Sequence, residues 1–86
     1  MGVDFVENLR EKLEQQASAL EELVERLERD RENANLGSMQ TLMHVTAIEQ
    51  YEAIANQLLA IVRDDKAALA ALSHAAALRK RVAVTN

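Results

Sequence analysis

An all-α fold is what this sequence predicts, either a helical hairpin or a three-helix bundle with long, coiled-coil-like helices. Three observations point there. The 86 residues hold no Pro and only two Gly, so few positions break a helix and a turn-rich β fold is disfavoured. Before Gly37, apolar residues recur at alternating steps of three and four, the period of a helix seam. Beyond Gly37 the chain becomes alanine-rich and charge-poor but keeps a helical period.

The first helix is expected over about 5–35. Asp4 can cap its free N–H groups, and Glu7, three residues on, completes a capping-box-like pair. Val6, Leu9, Leu13, Gln16, Leu20, Leu23, Leu27 and Asp30 trace the seam, widened by Ala17 and Val24. The opposite face is charged, with Glu22–Arg26 and Glu25–Arg29 in the favourable i,i+4 order, each worth about 0.2–0.5 kcal/mol. Gln16 and Asp30 interrupt the seam. A buried polar residue at such a position can set helix register or oligomer state.

The segment 33–38 reads as a stop and restart: Gly37 suits the left-handed position after a helix end, and Ser38 can cap the next helix. A second helix is expected over about 39–63. Leu42, Val45, Ile48, Tyr51, Ile54, Ala55, Leu58, Ile61 and Val62 form an apolar face wider than one seam. Asp64-Asp65-Lys66 leaves two readings open. Either aspartate can cap a third helix over about 65–82, and Asp65 falls where the stripe wants an apolar residue. Against a break, no Gly or Pro is present, so the last two helices could be continuous. The stretch Ala67–Leu78, which includes Leu69 and Leu72, carries no formal charge with His74 neutral. Arg79, Lys80 and Arg81 then fall at a helix C-terminus, where cations complement the dipole. Residues 83–86 are expected to fray.

Length and charge bound the function. A chain this short makes one domain and is marginal alone without metal, disulfides or association. It contains no Cys, which excludes disulfides and thiolate metal sites. The net charge is −4, which disfavours nucleic acid as a general partner. Residues 4–32 carry ten acids against five bases. No apolar run is long enough for a membrane span, and the N-terminus lacks the pattern of a signal peptide. A cytoplasmic location, or one within a particle assembled inside a cell, is the expectation.

Few residues offer chemistry. His44 could join Glu49 and Glu52 in a metal or ligand site of a helical bundle, but the Glu-x-x-His spacing such sites use is missing. His44 and His74 otherwise read as core-edge or surface histidines. Tyr51 reads as a packed aromatic with its hydroxyl at the rim. Arg79, Lys80 and Arg81 form a candidate basic contact. No nucleophile has an evident base, and no glycine loop could cradle phosphate.

The stretch Leu9-Arg10-Glu11-Lys12-Leu13, with Leu20, Leu23, Val24, Glu25 and Arg26 after it, resembles the first helix of the all-helical chorismate mutases. That resemblance covers about twenty residues. It implies a small intertwined helical dimer that clamps a dicarboxylate, with Arg10 as the first arginine. The chain departs from the pattern elsewhere: Arg26 is a residue out of register, no lysine stands near Ser38, and only Glu52 and Gln57 could supply the later polar pair.

These residues therefore lead to a non-catalytic helical assembly or adaptor module, without cofactor. Its packing and interface positions are Val6, Leu9, Leu13, Gln16, Leu20, Leu23, Leu27, Ile48, Tyr51, Ile54, Leu58, Ile61, Val62, Leu69 and Leu72. The physical reason is apolar surface on more faces than one seam can bury. A homo-oligomer or a larger protein assembly would cover it. A metal- or ligand-binding bundle and a chorismate-mutase-like enzyme are the alternatives.

Overall fold

The open question at 62–65 is resolved in favour of three helices. The computed structural model describes residues 2–33 and 38–83. Within them α1 (Gly2–Asn33), α2 (Ser38–Ile61) and α3 (Lys66–Ala83) each pack against the other two. No strand occurs among the described residues. The long dimension of 48 Å matches α1, whose 32 residues span about 48 Å at the helical rise. Of the expected stop and restart at 33–38, Asn33 ends α1 and Ser38 is the first residue of α2 and not its cap; of the expected fraying at 83–86, Ala83 is helical. The remainder, 34–37 and 84–86, lies outside the described residues.

Asp65 makes the second corner. Its Oδ1 accepts the Ala68 N–H at 3.1 Å, capping α3, while its Oδ2 accepts two bonds from Arg10 of α1 at 2.7 and 2.9 Å. A continuous α2–α3 helix is thereby corrected. Asp65 stands on the inward side with only 5% of its surface exposed. A buried carboxylate must be paired, and the break supplies an amide and brings α3 back beside α1.

Two ion pairs show the directions. Arg10 meets Asp65 near the starts of α1 and α3, and Glu28 meets Arg81 near their ends. Those two helices are therefore parallel, and α2 runs the other way beside both. The core lies where the three meet. It takes Val6, Leu9, Leu13, Leu20, Val24 and Leu27 from α1, and Ile48, Tyr51, Ala55 and Leu58 from α2. From α3 it takes Ala68, Ala71, Ala75, Leu78 and Val82. The broad face of α2 is thus shared between two neighbours within the chain, so most of the apparent apolar surplus is satisfied internally.

Three details depart from expectation. Asp4 lies inside the first turn of α1 and is not its cap, because the helix already begins at Gly2; its carboxylate there complements the dipole. Late in α1, Val24 is fully buried while Leu23 is 38% exposed. A straight helix drifts by about 20° per heptad against a 3.5-residue repeat, which rotates Leu23 off the seam and brings Val24 onto it. In α3, Ala68, Ala71 and Ala75 face inward, while Leu69 is 48% exposed and Leu72 is half-buried. Anchoring Asp65 to Arg10 sets the rotation of α3 so that position 68 points into the core, and small side chains let the helix approach closely.

Candidate functional site

Charged side chains mostly tie helix to helix. Arg79 of α3 donates to both carboxylate oxygens of Glu52 on α2, and Arg81 donates to both oxygens of Glu28 on α1. Arg81 also reaches Glu21 at 3.1 Å. Two members of the expected basic cluster are therefore engaged inside the chain, and Lys80 between them is exposed. Such two-pronged arginine–carboxylate pairs fix geometry as well as adding attraction.

His74 joins all three helices. Its Nε2 lies 2.7 Å from Glu21 Oε1, and its Nδ1 lies 3.1 Å from the Tyr51 hydroxyl. The tautomer that satisfies both contacts carries its proton on Nε2, donates to Glu21 and accepts from Tyr51. The rings of Tyr51 and His74 meet edge to face at 5.7 Å. Burial, then the Glu21 charge, pushes the Tyr51 hydroxyl above its ordinary pKa. Tyr51→Phe removes a donor from a buried junction and is expected to cost about 0.5–1.5 kcal/mol, measured by urea unfolding. An unchanged midpoint would show that the bond contributes nothing.

These pairs set an acid limit. The bonds from His74 and then Arg81 hold Glu21 below the usual carboxylate range, and Arg79 does the same for Glu52. At Asp65 burial works upward, but Arg10 and the Ala68 and Ala67 amides outweigh it and the net shift is downward. Carboxylates with a depressed folded pKa stabilise the fold fully above their unfolded pKa of about 4. That stability is lost as pH falls through the lower folded values. The melting temperature is therefore expected to be level above about pH 5 and to fall below about pH 4. A melting temperature unchanged down to pH 3 would contradict it.

Two flanks of α1 carry clefts. Between α1 and α3 a cleft of about 340 Å³ is lined by Arg10, Glu14, Tyr51, Ala67, Ala71 and His74. Four alanines contribute to its walls, and its arginine, tyrosine and histidine are already bonded within the chain. Between α1 and α2 lie two smaller clefts, of about 230 and 140 Å³, that share Leu23. One adds Arg26, Leu27, Asp30, Met43 and His44, and the other adds Gln16, Ala19, Leu20, Ala47 and Gln50.

The sequence-derived candidates separate on this framework. His44 lines the α1–α2 cleft, Glu49 is exposed, and Glu52 is bound to Arg79. Among the described residues no group of three or more His, Cys, Asp or Glu is placed to hold a metal ion. Arg10 and Arg26, the arginines of the chorismate-mutase resemblance, line different clefts about 24 Å apart along α1. Arg10 is engaged by Asp65 and Glu7. No described helix is long and apolar enough to cross a membrane.

Of the expected packing positions, Val6, Leu9, Leu13, Leu20, Leu27, Ile48, Tyr51 and Leu58 lie in the core. Gln16, Ile54, Val62 and Leu72 are half-buried, while Leu23, Ile61 and Leu69 are exposed.

No family model, curated protein or solved structure matches this chain. The main feature of the α1–α2 flank is its exposed apolar side chains. Phe5 and Leu23 of α1 are 47% and 38% exposed, and Met43 and Ile61 of α2 are 65% and 49% exposed. Within each pair the separation is eighteen residues, about five helical turns, so both members share one face of their helix. Because α2 runs antiparallel to α1, Phe5 and Ile61 mark one end of the flank. Leu23 and Met43 mark the other and line one cleft.

Proposed function

We propose that the protein is a non-catalytic helical assembly or adaptor module, which oligomerises or docks into a larger protein complex through its α1–α2 flank. A small structural component of a virus particle and a secretion-type chaperone are roles of this class. The observation that carries it is the alignment of Phe5, Leu23, Met43 and Ile61 along one flank. Large apolar side chains left in water forgo the free energy of burial, and here they gather in two pairs at the two ends of one flank, a surface that a partner would cover.

The polar residues favour the same conclusion. Tyr51, His74, Glu21, Arg79, Arg81 and Asp65 are spent on holding helices together. No buried polar side chain among the described residues lacks a partner, so none is held in reserve for a substrate. Arg10 and Arg26 line different clefts, so they form no paired clamp for a dicarboxylate within one chain.

The test is absolute mass by light scattering across a concentration series, with helicity by circular dichroism and a chorismate turnover assay on the same sample. Expected are a helical protein whose mass rises above the 9.6 kDa monomer, and turnover at background. A helical monomer that turns over chorismate would overturn the proposal.

A further inference from the structure

Resting on that assembly role, we infer that the α1–α2 flank pairs with a second copy of this chain, α1 against α1 in antiparallel order about a twofold axis near residue 21. The side of α1 that faces α3 is marked by Arg10, Glu14, Glu21 and Glu28, through the α1–α3 cleft and the ion pairs. On the other side of the buried seam runs a second stripe: Lys12, Gln16, Ala19, Leu23, Arg26 and Asp30. Its spacing alternates four and three, which keeps one face of a helix toward a partner helix. All but Lys12 line the α1–α2 clefts.

The stripe is complementary to its own reverse. Inverted about residue 21, Lys12 meets Asp30, Gln16 meets Arg26, and Ala19 meets Leu23. Each contact occurs twice, as a twofold interface requires. Opposite charges meet, and a large side chain faces a small one. Leu23 is the residue that the drift of α1 excludes from the core, and in this arrangement it is covered by Ala19 of the other copy. Parallel pairing would set Lys12, Arg26 and Asp30 each against its like, so charge selects the antiparallel order.

The surrounding charges agree. Lys12, Arg26 and Asp30 have no ion-pair partner among the described residues, whereas Arg10, Arg79 and Arg81 all do. The other acids of α1 from Asp4 to Glu28 fall off this stripe. The net acidity of the helix is thereby kept away from the contact. The segment 12–30 spans about 27 Å, a narrow strip beside the roughly 800 Å² per partner of a standard interface. Association is therefore reversible and concentration-dependent.

Sedimentation equilibrium on the full chain at low salt tests this. Wild type is expected to dimerise. Asp30→Lys and Lys12→Asp should each raise the dissociation constant roughly tenfold, since each reverses an exposed pair that occurs twice. The double variant K12D/D30K should return it to near the wild-type value. Leu23→Asp should give a monomer with unchanged helicity, because position 23 lies outside the core. A dimer indifferent to all of these substitutions would overturn this interface while leaving the assembly role intact. Wild type that stays monomeric at every concentration would overturn self-pairing and the oligomerising form of the assembly role together; docking onto a different protein would then be the remaining form of that role, and chorismate turnover above background would overturn it as well.

Discussion

Leu58→Asp is expected to abolish the folded state. Leu58 has no exposed surface and lies on the face of α2 shared by α1 and α3. The substitution forfeits the burial of a leucine, about 1.5–3 kcal/mol, and places a carboxylate among the apolar side chains of the core. Unpaired buried charges account for many of the single substitutions that cost more than about 4–5 kcal/mol. A chain of this length has roughly 4–13 kcal/mol in total at the usual stability per residue. Circular dichroism at 25 °C should therefore show loss of most helical signal. Leu58→Met conserves volume and should cost less than about 1.5 kcal/mol. Full helicity and an unchanged melting temperature in Leu58→Asp would mean that position 58 is not in the core. Leu20→Asp, on α1 at 3% exposure, should behave in the same way.

The second large effect belongs to Asp65. Asp65→Ala removes the cap of α3 and the partner of Arg10 together. The cap alone is worth about 1 kcal/mol. In a domain of this size that corresponds to a fall of about 4–8 °C in melting temperature. Losing the ion pair adds to this, although Arg10 is 38% exposed and can turn to water. Asp65→Asn keeps a capping oxygen and loses only the charge, so it should fall between wild type and Asp65→Ala. Thermal melts at pH 7 separate the three. Equal melting temperatures for all of them would show that the corner between α2 and α3 is held by something other than Asp65.

How much of the fold was legible in the sequence depended on the physical origin of each signal. The α1 seam was legible from Val6 to Leu20, because leucines there contrast with charges on the opposite face. It misled at Leu23, where a heptad template does not include the drift of a straight helix. The break at Asp65 was visible as a charge on an apolar stripe, but choosing it required Arg10, 55 residues away. The register of α3 was obscured because leucine outranks alanine on any hydrophobic scale. Here close approach favoured Ala68, Ala71 and Ala75, and Leu69 was left outside.

At the candidate site, the missing signal was pairing across helices. Glu21, Glu28 and Glu52 are indistinguishable in sequence from other surface acids, and Arg79 and Arg81 read as a free basic cluster. Only the packing of α3 parallel to α1 and antiparallel to α2 turns them into inter-helix ties. The stripe of Lys12, Gln16, Ala19, Leu23, Arg26 and Asp30 was readable in principle. A search for a second seam of alternating four and three would have found it, and Gln16, Leu23 and Asp30 belong to both seams. A Glu28→Gln/Glu52→Gln variant should leave this stripe untouched while weakening the attachment of α3. It should therefore lower the melting temperature without changing the dissociation constant of the proposed dimer.

A dilution series of amide nitrogen–proton NMR spectra reads whether the three-helix bundle associates through the proposed α1–α2 flank. Expected is a dispersed helical spectrum. Its concentration-dependent shifts should be confined to residues 12–30 of α1 and 43–50 of α2, with the outward amides of α3 unchanged. Shifts centred on α3, or a spectrum that does not change over the whole concentration range, would contradict association through that flank.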